Sequence, residues 1–412
     1  MNQSKENIEK ESRFLQEEII NWFLKQAIPF WSNKGIDYLY GGFFEEVNQF
    51  KSIYLPKRTR VVSRQIYSFY VAYKFKSEQK FIELIDYGAD FLFSNLYLSN
   101  EHYFAYSIDI KTQKLNKKIF LYEQAFGLIS LAIIFNYSKK YKNLALSAAK
   151  KIITKIKRIW GISIKEINSS NHRNLLLLDP YMHLLEALLF WHELSKENNN
   201  IEQSLWKNLC KELINSTMKL FINEKTNFIH EAISLENKQN NISNDLEKKV
   251  IPGHQYEWGS LLIEYGLRFN SEEHKKIGKS LITRIEHLGV DKKRNIVINE
   301  LNDSLKIRDN HGKIWPQTER LKAWGLISEI SDPSEKYHIK KYLESLIGLD
   351  QFLDNTLVCP DVTYDYGFSK QIGGTSNLWS GRVAPLELKD FNFEHKGKKY
   401  WPINYGEILK YY

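Results

Sequence analysis

His254 and Glu257 stand three residues apart in the stretch I-P-G-H-Q-Y-E-W-G-S-L-L-I-E-Y, residues 251–265. On a helix that spacing puts both on one face. Histidine is the side chain best matched to proton transfer near neutral pH, and a nearby carboxylate can orient it and set its tautomer. The pair suits a general base with its support; the competing reading is a hydrogen-bonded core histidine. Four other stretches hold polar residues in a comparable setting. Arg60 and Arg64 lie at i, i+4, Tyr122 and Gln124 flank Glu123, His183 precedes Glu186 by three, and Trp315 precedes Glu319 by four.

These residues need elements to carry them. Pro252 and Gly253 interrupt the preceding segment, and Trp258, Leu261, Leu262 and Tyr265 follow at i, i+3, i+4 and i+7. That pattern predicts a helix apolar nearly all round. Stretches of the same type begin near Lys57, Ile119, Leu178 and Lys313, each with its polar residues near the start. Amphipathic stretches fall at about 6–31, 139–158, 201–222, 272–288 and 334–350.

A helix apolar on all sides is buried, and an amphipathic one lies at the surface. Their alternation predicts inner and outer helices joined in hairpins, closing into an α/α barrel or stacking into a solenoid. Arg64, Tyr122, His183, His254 and Glu319 recur at intervals of roughly sixty to seventy residues with no residue-level repeat, longer than the periods of helical arrays. In a barrel their polar ends converge on one mouth. Convergence favours the catalytic reading of His254.

A chain of 412 residues with 14% aromatics can build one large domain or two ordinary ones, with a ring-lined cleft. The net charge of +9 is scattered. Its densest run, residues 150–158, alternates with apolar residues as a solvated helix face does, so nucleic acid is not expected as a partner. A positive field also suits phosphorylated sugars. Cys210 and Cys359 make neither a disulfide framework nor a metal spacing, so no metal is expected. Two such cysteines fit a reducing cytoplasm, and with no apolar signal core at the N-terminal stretch and no apolar run near the ~18 residues of a membrane span, no membrane is expected.

Five motifs, R-V-V-S-R-Q-I-Y, L-Y-E-Q-A-F-G-L, D-P-Y-M-H-L-L-E-A-L-L, P-G-H-Q-Y-E-W-G-S-L-L and W-P-Q-T-E-R-L-K-A, resemble in order those of the N-acylglucosamine 2-epimerase family, over about residues 10–355. That family includes mannose isomerases, cellobiose 2-epimerases and mannose-6-phosphate isomerase-like proteins. The resemblance implies an all-α fold, an (α/α)6 barrel, which opens a bound sugar and moves a proton α to its carbonyl without metal or other cofactor. Carried over by position, His254 resembles one of two catalytic histidines, with Glu257 supporting it and His183 in the cleft. Arg64 resembles the arginine beside the reacting oxygens, where a cation stabilises a developing enediolate. Tyr122, Trp315 and Glu319 match cleft-lining positions, and Gln124 and Arg60 belong to the same substrate-binding set. Trp315 also reads as plain core, and Glu186 as a structural partner of its neighbours.

The family's second catalytic histidine lies on the last inner helix. The period places that helix near residue 380, where K-Q-I-G-G-T-S-N-L-W-S-G-R-V-A-P-L-E-L-K-D-F contains paired glycines, a proline and no histidine. This stretch resembles a fragment of glucose-methanol-choline type FAD oxidoreductases. Only about forty residues match, without a G-x-G-x-x-G element, so no flavin is expected. The expected organisation is an epimerase-like barrel over 1–360, incomplete at its C-terminal helix pair, and a non-helical tail over 361–412 of separate origin. Apolar faces left open there would favour association, a homodimer being the simplest form. Two functions stay open. One is a sugar 2-epimerase or aldose–ketose isomerase acting through an enediolate; the other is a sugar-binding protein that keeps the cleft without the chemistry.

Overall fold

A computed structural model of the chain describes residues 5–47, 52–169, 175–223, 225–234, 245–332 and 336–355, with a short strand pair at 394–395 and 398–399. Among the described residues there are thirteen α-helices: α1 (Lys5–Trp22), α2 (Ile28–Lys34), α3 (Thr59–Lys76), α4 (Gln79–Phe91), α5 (Leu121–Tyr137), α6 (Lys142–Ile159), α7 (Ile164–Ser169), α8 (Leu178–Glu197), α9 (Gln203–Phe221), α10 (Pro252–Phe269), α11 (Glu272–Leu288), α12 (Ile314–Ile330) and α13 (Lys336–Asn355). They have the (α/α)6 barrel architecture that the resemblance implies, and the alternating pattern's inner and outer helices are its two layers. The inner helices α3, α5, α8, α10 and α12 pack each on the next, and α4, α6, α9, α11 and α13 lie outside their respective partners.

The outer ring gains a sixth member from the other end of the chain, because α1 packs against α13. Among the described residues, the inner position between α12 and α3 is the one that no helix fills. Its sequence counterpart near residue 380 and the tail over 361–412 lie outside the described residues, apart from the short strand pair. The first helical stretch, expected over about 6–31, runs on to Lys34. A π-turn at Phe23–Ala27, closed by the Ile28 N–H on the Phe23 carbonyl, precedes α2, in which Pro29 occupies the first turn. Proline lacks an N–H and crowds the carbonyl four residues back, and the wider turn accommodates both features.

Connections differ at the two ends of the barrel. Inner-to-outer links are short: two residues join α3 to α4 and α10 to α11, turned by Ser77 and Asn270 in the left-handed region (φ 51° and 55°). Outer-to-inner links are long and carry small sheets. Lys57–Arg58, Ser107–Asp109 and Lys114–Asn116 form one, Leu175–Leu177 and Ala232–Ser234 a second, and Lys249–Val250, Glu300–Asn302 and Ile307–Asp309 a third. The sheets therefore wall the end where the inner helices begin. Each inner helix starts after an extended residue that makes no side-chain cap, so its first N–H groups and positive dipole end face this mouth.

A recurring glutamine fastens the sheets to the helices. Gln124, Gln255 and Gln317 are each the fourth residue of an inner helix, and each amide pairs with both backbone groups of one residue in the wall, respectively Phe104, Ile229 and Val297, at 2.7–2.9 Å. Tyr181, the fourth residue of α8, bonds the Trp160 carbonyl instead. Inner and outer helices meet closely where glycine allows. A Cβ on Gly259 would fall 2.5 Å from Ile282, and one on Gly278 would fall 2.5 Å from the Gly259 carbonyl, so α10 and α11 touch backbone to backbone.

Candidate active site

His254, in the first turn of α10, is held from outside its own helix. Its Nδ1 lies 2.6 Å from Oε2 of Glu231, a buried residue just before the strand Ala232–Ser234. The other Glu231 oxygen accepts the Ile251 N–H that leads into the helix. With Nδ1 occupied, Nε2 is the nitrogen left for chemistry. The ring lies over Trp315 of α12, centroids 4.9 Å apart. Gly253 makes that approach possible, since a Cβ there would fall 2.5 Å from the Trp315 ring. Burial alone would lower the His254 pKa, but Glu231, helped by Asp179 and Glu257, outweighs it and raises the value to about 9.

Glu257, expected to support His254, adds its charge there but lies 3.7 Å from His183 Nδ1. The direct partner of His254 is Glu231, which the sequence reading missed. It lies twenty-three positions upstream in a loop, where helical spacing gives no signal.

His183 is engaged on both nitrogens. Nε2 is 3.2 Å from Asp179 Oδ1, and Nδ1 is 3.2 Å from Glu186 Oε2 and 3.7 Å from Glu257 Oε1. Tyr122 and Phe126 box the ring at 5.1 and 4.5 Å. Against burial, which disfavours charge, the hydrogen bonds of Asp179 and Glu186 hold His183 protonated well above its ordinary range. It is an imidazolium with no lone pair to offer, so it serves the site as a fixed positive charge. Glu186, expected to be structural, points into this cluster, and Asp179, one turn before His183, joins it. Burial would raise the carboxyls of Asp179 and Glu186, but hydrogen bonds from His183 prevail and hold both low.

The His183 Nδ1, Glu186 and Glu257 donors lie within 4.8 Å of one another, a spacing that a cation could use. The cluster carries its own counter-charges: the carboxylates of Asp179 and Glu186 share their surroundings with His183, Arg64 and Lys322, while burial raises Glu257 and Glu319 toward their neutral forms. The donor set is that of a charge-balanced polar network, consistent with a bound proton on His183.

Arg64 donates from Nη2 to the Tyr122 hydroxyl at 2.7 Å, and its guanidinium lies 4.1 Å from the Phe126 ring centre. Arg60 is committed to buried Glu123 at 2.6 Å and lies between the Tyr106 and Tyr122 rings. Glu319 and Trp315 line α12 at the same mouth. Gln124 does not join them: its amide is buried and consumed by the Phe104 backbone, a correction to its place among the substrate-binding residues. The signal was present in the sequence, where a glutamine recurs at one position in E-Q-A, H-Q-Y and P-Q-T.

A sequence model of the N-acylglucosamine 2-epimerase (GlcNAc 2-epimerase) family matches residues 42–355. The chain belongs to that family. Among curated relatives, the family member resembles the mannose-6-phosphate isomerase of Rhizobium meliloti (strain 1021), 24% identical over 330 residues, covering 80% of this chain and 83% of that one. It also resembles the cellobiose 2-epimerase of Dictyoglomus turgidum (strain DSM 6724 / Z-1310), 24% identical over 369 residues, covering 84% and 88%. Among solved structures, a D-mannose isomerase superposes with a TM-score of 0.69 at 15% identity, covering 89% of this chain and 92% of its own, and shares the fold. The epimerase-family barrel has no described helix long and apolar enough to cross a membrane.

Proposed function

We propose that this protein is a sugar 2-epimerase or aldose–ketose isomerase that enolises an open-chain sugar, with His254 as the base at the carbon next to the carbonyl. The observation that carries this reading is the 2.6 Å contact between His254 Nδ1 and buried Glu231, which fixes the tautomer and leaves Nε2 for the cleft. Arg64 and the His183 imidazolium supply positive charge where an enediolate develops, and the converging helix N-termini add to it. The substrate class follows from the family and from its mannose-6-phosphate isomerase and cellobiose 2-epimerase relatives.

The test is incubation with mannose, N-acetylmannosamine, mannose 6-phosphate and cellobiose in heavy water. Deuterium should enter C2 of at least one sugar, and His254→Ala should abolish its entry. A second reading, sugar binding without catalysis, rests on the absence of histidine from residues 370–391. It predicts binding of these sugars with no exchange, and an affinity that His254→Ala changes at most modestly.

A further inference from the structure

One ionisable side chain at the mouth has no role in the chemistry above. Glu319 lies one turn beyond Trp315 on α12, on the face that carries the ring beneath His254. Its Oε2 is sealed from solvent and has no hydrogen-bond partner among the described residues. The other carboxylates of the site are committed: Asp179 and Glu186 bond His183, Glu257 lies 3.7 Å from it, and Glu231 holds His254. A buried carboxyl oxygen without a partner costs stability, so its retention at a mouth built for a polar ligand calls for a ligand atom.

Charges face Glu319 from the helices around it. Glu257 of α10 and Glu186 of α8 repel a negative charge there, while Lys322 of α12 and His183 of α8 attract one. Burial and the Glu257 charge prevail and push the Glu319 carboxyl up to about 8. At neutral pH the group therefore carries a proton and can donate it.

Building on the enolisation reading, we propose that Glu319 is the general acid of this site, delivering a proton to the sugar's carbonyl oxygen as His254 removes the proton from the neighbouring carbon. In that step the C2–H bond breaks toward His254 Nε2, and its electron pair becomes the C1–C2 double bond. The carbonyl π pair moves onto O1, and O1 takes the Glu319 proton. The products are a neutral enediol, the His254 imidazolium and the Glu319 carboxylate; transfer of the His254 proton to C1, as O2–H gives its proton to Glu319 and the O2 pair becomes the new carbonyl, yields the ketose and restores both groups.

The two groups must then share one proton. Below about 8 both are protonated and the base is lost, and above about 9 neither is and the acid is lost. Wild-type C2 exchange should follow a bell between those limits. Glu319→Gln should lower kcat about 10²–10³-fold, with KM changed by less than about threefold, and should abolish the alkaline fall, leaving a single rise near 9 as His254 loses its proton. Glu319→Asp should recover part of the rate. Because the amide needs no proton in a site that disfavours a carboxylate, Glu319→Gln should also raise the melting temperature above neutral pH. Glu319→Gln exchange within about tenfold of wild type with both limbs intact would overturn the proposal. Loss of activity and melting temperature together would also overturn it, assigning Glu319 a structural role. No exchange by the wild type with any of the four sugars would remove the enolisation reading, and this proposal with it.

Discussion

His254 and Glu231, twenty-three positions apart in sequence, meet at 2.6 Å through a carboxylate that also accepts the Ile251 N–H at the start of the histidine's helix. One side chain thus fixes both the ring and the turn that carries it. Glu231→Gln keeps the shape and removes the charge. The His254 pKa should then fall from about 9 toward the ordinary histidine range, because the raising influence of Glu231 is lost while burial remains. C2 exchange should drop about 10²–10⁴-fold as the tautomer is no longer enforced. Following the His254 ring by NMR across pH checks the shift directly. An unchanged titration would show that the pair does not control the base.

The relocation of Gln124 makes a separable prediction. Gln124→Ala would leave the buried Phe104 N–H and carbonyl without partners, at a cost of about 2–4 kcal/mol for the two groups. Denaturant midpoints should fall accordingly. The KM of the folded fraction should stay within about twofold of wild type, since on this structure the amide does not touch sugar. A large KM change at unaltered stability would return Gln124 to the substrate-binding set.

How much of this was legible depends on what each residue depends upon. The inner and outer helices could be read because burial acts on every turn of a helix, leaving periodic apolar faces along α5, α8 and α10. His254, His183 and Arg64 could be placed because each sits near the start of such a helix. Glu231 could not, since a loop has no period and its partner is set by the pairing of Ala232–Ser234 with Leu175–Leu177. Asp179 stood in view at i, i+4 from His183, yet its meaning required the carboxylate on the ring's other side. The placement of α1 was also hidden, because an amphipathic helix announces that it packs but not against which neighbour.

Acid and alkali should unfold the protein through different groups. The His254 value is raised above its unfolded one, so its stabilising contribution is complete below about 6.5 and is lost as pH rises through about 9. That contribution is on the order of 3 kcal/mol. His183, also raised, acts in the same direction. Asp179 and Glu186 are depressed, so their contribution is present above the ordinary carboxylate range and disappears as pH falls below it. Urea midpoints should therefore decline between pH 6.5 and 9. His254→Ala should flatten that decline while leaving the acid limb in place. A decline of equal slope in the variant would place its origin elsewhere.

Arg64 offers the sharpest separation of charge from shape. Its guanidinium is stacked 4.1 Å from the Phe126 ring centre and tied to the Tyr122 hydroxyl at 2.7 Å, so its plane is fixed before any sugar arrives. A preorganised cation is worth most where negative charge develops, because nothing must reorient during the reaction. Arg64→Lys keeps the charge but loses the planar stack and the fork, and should lower kcat about 10–10²-fold. Arg64→Ala loses everything and should cost about 10²–10³-fold, again in kcat. Tyr122→Phe removes only the restraining hydrogen bond, equivalent to about a tenfold loss. This order, alanine worst and phenylalanine mildest, follows if Arg64 acts on the enediolate. If Arg64→Ala instead raises KM and spares kcat, the arginine binds substrate and transition state alike, and the stabilising charge must come from His183 and the helix N-termini.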